Sequence, residues 1–371
     1  MKKAGDFVLL AAGQKIRIIF SENENRAVNY EIQNLAEDIK KVCDCVVEPG
    51  NITGRTAQEN GPEIIVATMD TPWFSEIMPV AVLPALEKIR DAQGVGRWEA
   101  YLHQISDNSF CIIGADRRGT VFGIYDLSEQ IGVSPWYFWA DVPVRKKKRF
   151  AFSNDYCKAD WPDVQYRGIF LNDEEELDAW SKIHTKDDTI GPETYAHIFE
   201  LLLRLKANYI WPAMHVNYFN SDPENGRLAE KMGIVVGTSH CDMLLRSNQN
   251  EWTPWLKKKN YENIRYDYWL SGENREIIQE YWAESVEMNR KYEVCYTVGM
   301  RVIHDSGFVT EVIDQDTSLT QSERTEKKIH LLEKVISDQR EILKEVLGEE
   351  KGNNVPQTFI PYKEVLDLYD G

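Results

Sequence analysis

The chain has 371 residues, enough for two domains of ordinary size. Hydrophobic residues make up 43% and aromatic residues 11% of it, which favours a packed globular protein over a disordered one. The net charge of −17 argues against nucleic acid or an anionic membrane surface as the partner. No apolar run approaches the roughly 20 residues that a membrane-spanning helix needs.

The N-terminus and the cysteines bear on localisation. The apolar run Phe7–Ala12 is shorter than the roughly 7–15 residues of a signal-peptide core, so no export signal is visible. The six cysteines are scattered and form no C-x-x-C pair, a pattern typical of free thiols rather than a disulfide framework or a zinc site. We expect a cytoplasmic protein, or a secreted or periplasmic one if an upstream segment is missing.

Residues 1–155 alternate strand and helix patterns, and we predict that they form an N-terminal α/β domain. The stretch Val142–Asn154 contains Pro143 and a basic run, and is predicted to be a linker. The predicted strands are Phe7–Ala11, Ile16–Phe20, Glu63–Thr68 and Phe110–Gly114, and the predicted helices are Ala27–Val42 and Gly119–Ile131.

Residues 156–371 repeat a strand–helix unit, which indicates parallel strands joined by right-handed crossovers. The rhythm predicts a partial catalytic domain, an incomplete (β/α)₈ TIM barrel with about five of its eight strands. The predicted strands are Tyr166–Leu171, Asn208–Trp211, Ile234–Thr238, Val294–Met300 and Gln357–Tyr362, and the predicted helices are Glu193–Lys206, Asn225–Met232, Glu273–Tyr292 and Gln321–Leu347.

Candidate site residues close or follow each predicted strand, at the ends that would converge on one mouth of a barrel. In strand order they are Asn172, Asp173 and Glu174; Trp211, Met214 and His215; Ser239, His240 and Asp242; Arg301, His304 and Asp305; and Lys363 and Glu364.

Most of these residues also have an ordinary structural interpretation. Glu175 and Glu176 are interpreted as the first turn of a helix, where acids interact favourably with the dipole, whereas Asp173 suits a position at the mouth at least equally well. Trp211 is either a core aromatic or a platform for a sugar ring with its indole N–H free to bond a substrate. The pattern around His240 favours a buried, hydrogen-bonded histidine over a substrate contact.

The charged residues of the last two strands leave two interpretations open. Arg301 and Asp305 are four apart and could form a local ion pair, or Arg301 could bind a substrate carboxylate through two hydrogen bonds. Glu364 could begin a helix, or it could act with Asp305 or Asp173, because glycoside hydrolysis needs two carboxylates. A metal site from His240, Asp242 and His304 has no recognised spacing, so we expect no metal and no cofactor.

Several segments together are similar to those of glycoside hydrolase family 115, the xylan α-1,2-glucuronidases. They span the chain from Arg118 to the C-terminus in the family's order. The segments are Arg118–Thr120, Ile131–Trp136, Trp139–Pro143, Arg167–Glu174 (RGIFLNDE), Leu203–Met214 (LRLKANYIWPAM), Gly237–His240, Gly299–Arg301 and Pro361–Leu366 (PYKEVL).

The resemblance implies a small α/β domain before a catalytic barrel, and a glycosidase that removes (4-O-methyl)glucuronic acid from glucuronoxylan or its oligosaccharides with inversion. By that resemblance the catalytic carboxylates are Asp173, Asp305 and Glu364. The substrate contacts are Arg301, His240, Trp211, Asn172 and Glu174.

Two local departures and the length qualify the resemblance. His215-Val216-Asn217 stands where another Trp is expected, and Val302 follows Arg301 where a glycine is expected. Strands that the family carries after the fifth have no counterpart, so we expect an inactive, truncated member. The alternatives are a non-catalytic carbohydrate-binding truncation product, and a metal-dependent sugar-active enzyme on the same barrel.

Overall fold

The computed structural model describes residues 6–51, 61–172, 174–270, 272–301, 308, 310–362 and 364–368. The chain divides into two compact units, and the prediction of a mixed α/β protein is confirmed. The first unit comprises residues up to Arg167 with His197–Asn208 and Lys231–Gly233, and the second comprises the remainder. The boundary at residue 155 between an N-terminal domain and a catalytic domain stays a prediction. Across the described ranges, no helix combines the length and the apolar character needed to span a membrane.

The strands are β1 Asp6–Ala11, β2 Lys15–Phe20, β3 Val46–Asn51, β4 Glu63–Thr68, β5 Tyr101–Ser106, β6 Ser109–Gly114, β7 Arg149–Ser153, β8 Cys157–Asp160, β9 Gly168–Phe170, β10 Tyr209–Trp211, β11 Val235–Val236, β12 Tyr296–Val298 and β13 Gln357–Phe359. The α-helices are α1 Arg26–Val42, α2 Phe74–Ile77, α3 Arg117–Ile131, α4 Glu175–His184, α5 Pro192–Arg204, α6 Pro223–Met232, α7 Trp252–Lys259, α8 Glu273–Asn289, α9 Glu311–Asp314, α10 Gln321–Leu347, α11 Glu349–Asn354 and α12 Glu364–Asp367.

The first unit is built on a six-stranded sheet in the order β3-β2-β4-β6-β5-β8. The strands β3, β2, β4 and β6 run parallel, and β5 runs antiparallel to both β6 and β8. Helices α1 and α3 pack against each other. Each begins at a side-chain cap: Asn25 accepts from the N–H of Ala27, and Asp116 accepts from the N–H of Gly119.

The linker prediction for Val142–Asn154 is wrong over its second half. Residues Arg149–Ser153 form β7, which pairs antiparallel with β1. The reason is the alternation after the basic run, because Phe152 packs against Phe110 with the ring centroids 4.9 Å apart. The six cysteines are free thiols, as predicted, and four of them are buried.

The second unit contains β9 to β13, all parallel to their neighbours. The ladder runs β9-β10-β11, an isolated parallel bridge joins Val236 to Val294, and β12 pairs with β13. Helix α8 presents the fully buried Ile278, Tyr281 and Trp282 to the interior and packs against α10. Four of the five strands contain only three residues, and β11 two, so each is shorter than predicted.

A buried carboxyl in the first unit gives the fold a pH dependence. Glu31 is fully buried on α1, where its carboxylate accepts hydrogen bonds from the hydroxyl of Tyr125 and from Asn34 Nδ2 at 2.6 Å. Burial is the main cause that raises the pKa of Glu31 from 4.5 to about 7, against the opposing effect of these hydrogen bonds. Its second oxygen, Oε1, has no partner among the described residues.

We predict that Glu31→Gln stabilises the protein at high pH only. The folded pKa is the higher one, so the folded state binds more protons and wild type loses stability as pH rises from 4.5 to about 7. At about 1.36 kcal/mol per unit, the loss above about pH 8 is on the order of 3 kcal/mol.

Urea denaturation of wild type and Glu31→Gln at the same pH measures this difference. Burial lowers the pKa of His103 to about 4, so His103 makes the free energy of unfolding rise with pH, opposite to Glu31. Because both proteins contain His103, its contribution cancels in the comparison. Equal free energies of unfolding for the two proteins at about pH 8 would refute the role of Glu31.

Candidate active site

Four of the predicted strand-end residues, Asp173, His304, Asp305 and Lys363, lie outside the described residues. Glu364 is the first residue of α12, as its helical interpretation predicted, and the structure describes its backbone alone. Glu175 begins α4 and Glu176 follows in the first turn, which confirms their interpretation as acids at a helix N-terminus.

A cluster of Arg301, Tyr362 and His240 forms at the carboxyl ends of β12, β13 and β11. The guanidinium carbon of Arg301 lies 5.2 Å from the ring centroid of Tyr362, within the range of a cation–π interaction. The rings of His240 and Tyr362 have centroids 4.3 Å apart. Arg301 is 1% exposed, whereas Tyr362 is 38% exposed. The structure thus brings Arg301 and His240 together through an aromatic ring.

Tyr362 was missed as a site residue. The available signal was its position between the end of a strand and Glu364, in a segment already matched to the family. The predicted strand Gln357–Tyr362 included Tyr362 as its last residue, whereas β13 ends at Phe359. Because parallel strands place their carboxyl ends at one edge, a ring just after β13 can reach groups that follow β11 and β12.

His240 is tied to the neighbouring strand ends. Its Nδ1 lies 3.0 Å from the hydroxyl oxygen of Ser239, and that hydroxyl donates to the thioether of Met214 at 3.6 Å. Met214 follows β10, so the second and third strand ends are connected here. On the other side, Asn248 Nδ2 donates to the backbone carbonyl of Arg301 at 3.5 Å.

Glu174 has a structural role in this arrangement. Its side chain is 3% exposed, and Oε1 accepts from the backbone N–H groups of Met214 at 2.7 Å and of His215 at 3.2 Å. The carboxylate therefore holds the segment after β10. Its other oxygen, Oε2, is buried without a partner among the described residues. Asn172, two residues earlier, is exposed.

The structure contradicts one part of the platform interpretation of Trp211, the free indole N–H. That N–H donates to the hydroxyl of Tyr209 at 2.8 Å. Tyr209 and Trp211 are two apart on β10 and therefore point to the same face of the strand. Trp211 also meets Phe170 of β9 edge to face, with ring centroids 5.6 Å apart. The indole donor of Trp211 is therefore bonded within the protein.

Buried acids lie behind the strand ends, in the loop after β11. Burial, with a smaller contribution from Glu251, raises the pKa of Asp242 well above its ordinary value. Burial also raises the pKa of Glu251, against the charge of Arg246, whose Nε lies 3.6 Å from Glu251 Oε1. The same loop has Leu244 and Leu245 at φ of 52° and 61°, a left-handed conformation rare for leucine.

The metal alternative gains no geometric support from the part of the chain that the structure describes. Within those ranges no three His, Cys, Asp or Glu side chains are grouped so that they could hold a metal ion. His240 and Asp242 fall within them, and His304 does not.

The model of glycosyl hydrolase family 115 matches residues 159–371. The chain is 32% identical, over 98% of its length and with a TM-score of 0.78, to a structure described as a novel family GH115 4-O-methyl-alpha-glucuronidase, BtGH115A, with specificity for decorated arabinogalactans. The chain belongs to glycosyl hydrolase family 115.

The family 115 chain spans 44% of the length of that relative. It is also similar in fold to the chitobiase FjGH20 of Flavobacterium johnsoniae, at 13% identity and a TM-score of 0.53, over 92% of this chain and 49% of that one. No curated protein sequence matches it. The family match covers every residue of the Arg301–Tyr362–His240 cluster.

We predict that Glu174→Ala loosens the segment after β10. Removing the carboxylate leaves the buried N–H groups of Met214 and His215 without an acceptor, at a cost of about 2–3 kcal/mol. Hydrogen exchange should accelerate at these two amides. The control is Glu175→Ala, because Glu175 is exposed and its carboxylate lies 3.4 Å from the ring of His215 instead of accepting from the two amides. Equal exchange rates in both variants would contradict the anchoring role.

Proposed function

We propose that this chain carries part of the active site of a glycosidase that removes α-1,2-linked (4-O-methyl)glucuronic acid side chains from xylan. Membership of family 115 supports this, as does the 32% identity to a structure described as a 4-O-methyl-alpha-glucuronidase. The observation that carries the proposal is the cluster of Arg301, Tyr362 and His240, a cation with an aromatic ring and an imidazole at one edge of a parallel sheet.

The fold that would support this activity is the first part of a (β/α)₈ barrel. The parallel order β9-β10-β11-β12-β13 supports this, with the bridge between Val236 and Val294 connecting the two ladders. In such barrels catalytic groups come from loops at the carboxyl ends of several strands. The cluster and the predicted carboxylates follow these strands in that manner.

The uronate is the part of the substrate that the cluster suits best. A guanidinium group matches a carboxylate in two parallel hydrogen bonds, which a neutral sugar cannot offer. Tyr362 is the most exposed member and offers a ring face to the sugar, while the imidazole of His240 can donate to a ring hydroxyl. Because Arg301 is almost fully buried, an ion pair with the uronate would be weakly screened by solvent.

The chemical step needs two carboxyl groups, and we assign it to the set Asp173, Asp305 and Glu364. One carboxylic acid donates its proton to the glycosidic oxygen as the bond to the anomeric carbon breaks. A second, as carboxylate, takes a proton from the water that attacks the opposite face of that carbon. Inversion follows from this single displacement and requires the two groups to be roughly 6.5–9.5 Å apart.

Two polysaccharides are candidates for the backbone of the substrate. Xylan is the backbone implied by the family resemblance, and decorated arabinogalactan is that of the related structure. Both substrates should be assayed side by side for release of (4-O-methyl)glucuronic acid, with D-glucuronate binding measured in parallel. Binding without release from either substrate would favour the non-catalytic carbohydrate-binding alternative.

We predict that Arg301→Ala weakens both uronate binding and any glucuronic acid release. Loss of one partner of a buried, hydrogen-bonded charge pair costs about 2–5 kcal/mol, which corresponds to about 30-fold or more. Calorimetric titration with D-glucuronate and the release assay measure the effect. Lys258→Ala removes an exposed cation from α7 and should leave both values unchanged. Full binding or activity in Arg301→Ala would refute the role of Arg301 as the uronate-binding residue.

A further inference from the structure

The strand end that carries Arg301 has an unusual backbone. The ladder between β12 and β13 ends at the pair Val298–Phe359, and Gly299 follows with φ of +126°. A side chain could adopt that conformation only under strain, and a Cβ atom would lie 3.3 Å from the ring of Phe359. The chain therefore turns out of the sheet at Gly299, two residues before Arg301.

The side-chain amide of Gln339 forms hydrogen bonds with both backbone polar groups of Gly299. Its Oε1 accepts from the N–H of Gly299 at 2.8 Å, and its Nε2 donates to the carbonyl of the same residue at 2.8 Å. Gln339 is fully buried on α10, where Val335 and Leu343, four residues before and after it, are also fully buried. A rigid helix thus supplies the donor and the acceptor that the sheet no longer provides.

We propose that Gln339 is a positioning residue, which fixes the turn at Gly299 so that the guanidinium of Arg301 meets Tyr362. This role rests on the proposed function, in which Arg301 binds the uronate. A primary amide is required because one atom must accept while the other donates. An ionised glutamate only accepts, leucine does neither, and asparagine is one methylene shorter.

The turn has a second attachment beyond Gly299. The carbonyl of Arg301 accepts from Asn248, so the segment Gly299–Arg301 is held at its start by α10 and at its end by the loop after β11. If Gln339 is lost, two buried backbone groups lose their partners and the start of this segment must move to find others. Arg301 then loses its fixed approach to Tyr362.

The test uses two readouts on the full chain. The first is the ¹⁵N signal of the Arg301 side chain, assigned by its loss in Arg301→Lys, and the second is the Kd of D-glucuronate. Gln339→Leu should shift or broaden the Arg301 signal and weaken binding about tenfold or more. Val335→Ala creates a cavity in the same helix face but keeps both hydrogen bonds from Gln339 to Gly299, and should leave both readouts within about twofold of wild type.

Gln339→Glu supplies a variant that tests the donor directly. A protonated glutamic acid can accept and donate as the amide does, and burial keeps it protonated above its ordinary range. The variant should bind D-glucuronate like wild type near about pH 5 and lose affinity as the carboxyl ionises toward about pH 8. The ratio of its Kd to that of wild type at each pH removes the pH-dependent contributions that the two proteins share.

Three results would overturn the positioning role: an unchanged Arg301 signal and affinity in folded Gln339→Leu, an equal loss in Val335→Ala, or a flat Kd ratio for Gln339→Glu. If wild type does not bind D-glucuronate, the uronate-binding proposal fails. The Arg301 signal in Gln339→Leu then still decides whether Gln339 positions this strand end.

Discussion

The common direction of five strands is the constraint on which the candidate site depends. Strands β9 to β13 are short, yet they are parallel within each ladder, and the parallel bridge Val236–Val294 connects the two ladders, so their carboxyl ends face one edge. Residues as distant in sequence as His240, Arg301 and Tyr362 therefore meet after β11, β12 and β13. The register of the strands also determines which residues follow the strand ends at the same level. If any one strand ran in the opposite direction, the residue after it would no longer reach the candidate site.

Burial is the second constraint on the candidate site, because a buried polar group without a hydrogen-bond partner lowers the stability of the fold. Glu174 is held by two backbone N–H groups, Gln339 binds both polar groups of Gly299, and Arg301 packs against an aromatic ring. These contacts fix backbone segments rather than leave side chains free. A site of this kind is organised before a ligand arrives, so less conformational entropy is lost on binding.

The sequence predicted the repeated elements well, because their hydrophobic periodicity is local information. Helix Gln321–Leu347 and strand Glu63–Thr68 were predicted to the residue. Strand β7 was not predicted, because the basic run before it made the short alternating segment look like a linker. Its partner strand, β1, lies more than a hundred residues away in the sequence. For the site, strand-end positions identified Arg301 and His240, but the ring of Tyr362 and the amide of Gln339 act through tertiary contacts. The hydrogen bond from the indole of Trp211 is local, because its acceptor Tyr209 lies two residues away on β10, and the i, i+2 spacing was the signal that could have predicted it. Strand-end positions also suggested Asp173, Asp305 and Glu364, and the family resemblance assigned them the catalytic role.

The most direct test of a uronate site at this edge is chemical-shift mapping of the isotope-labelled chain during titration with D-glucuronate. Residues Gly237–His240, Gly299–Arg301 and Pro361–Tyr362 should show the largest, saturable changes, with D-glucose as the uncharged control giving none. Changes confined to other parts of the chain, or equal changes with D-glucose, would contradict recognition of the uronate by Arg301 and its neighbours.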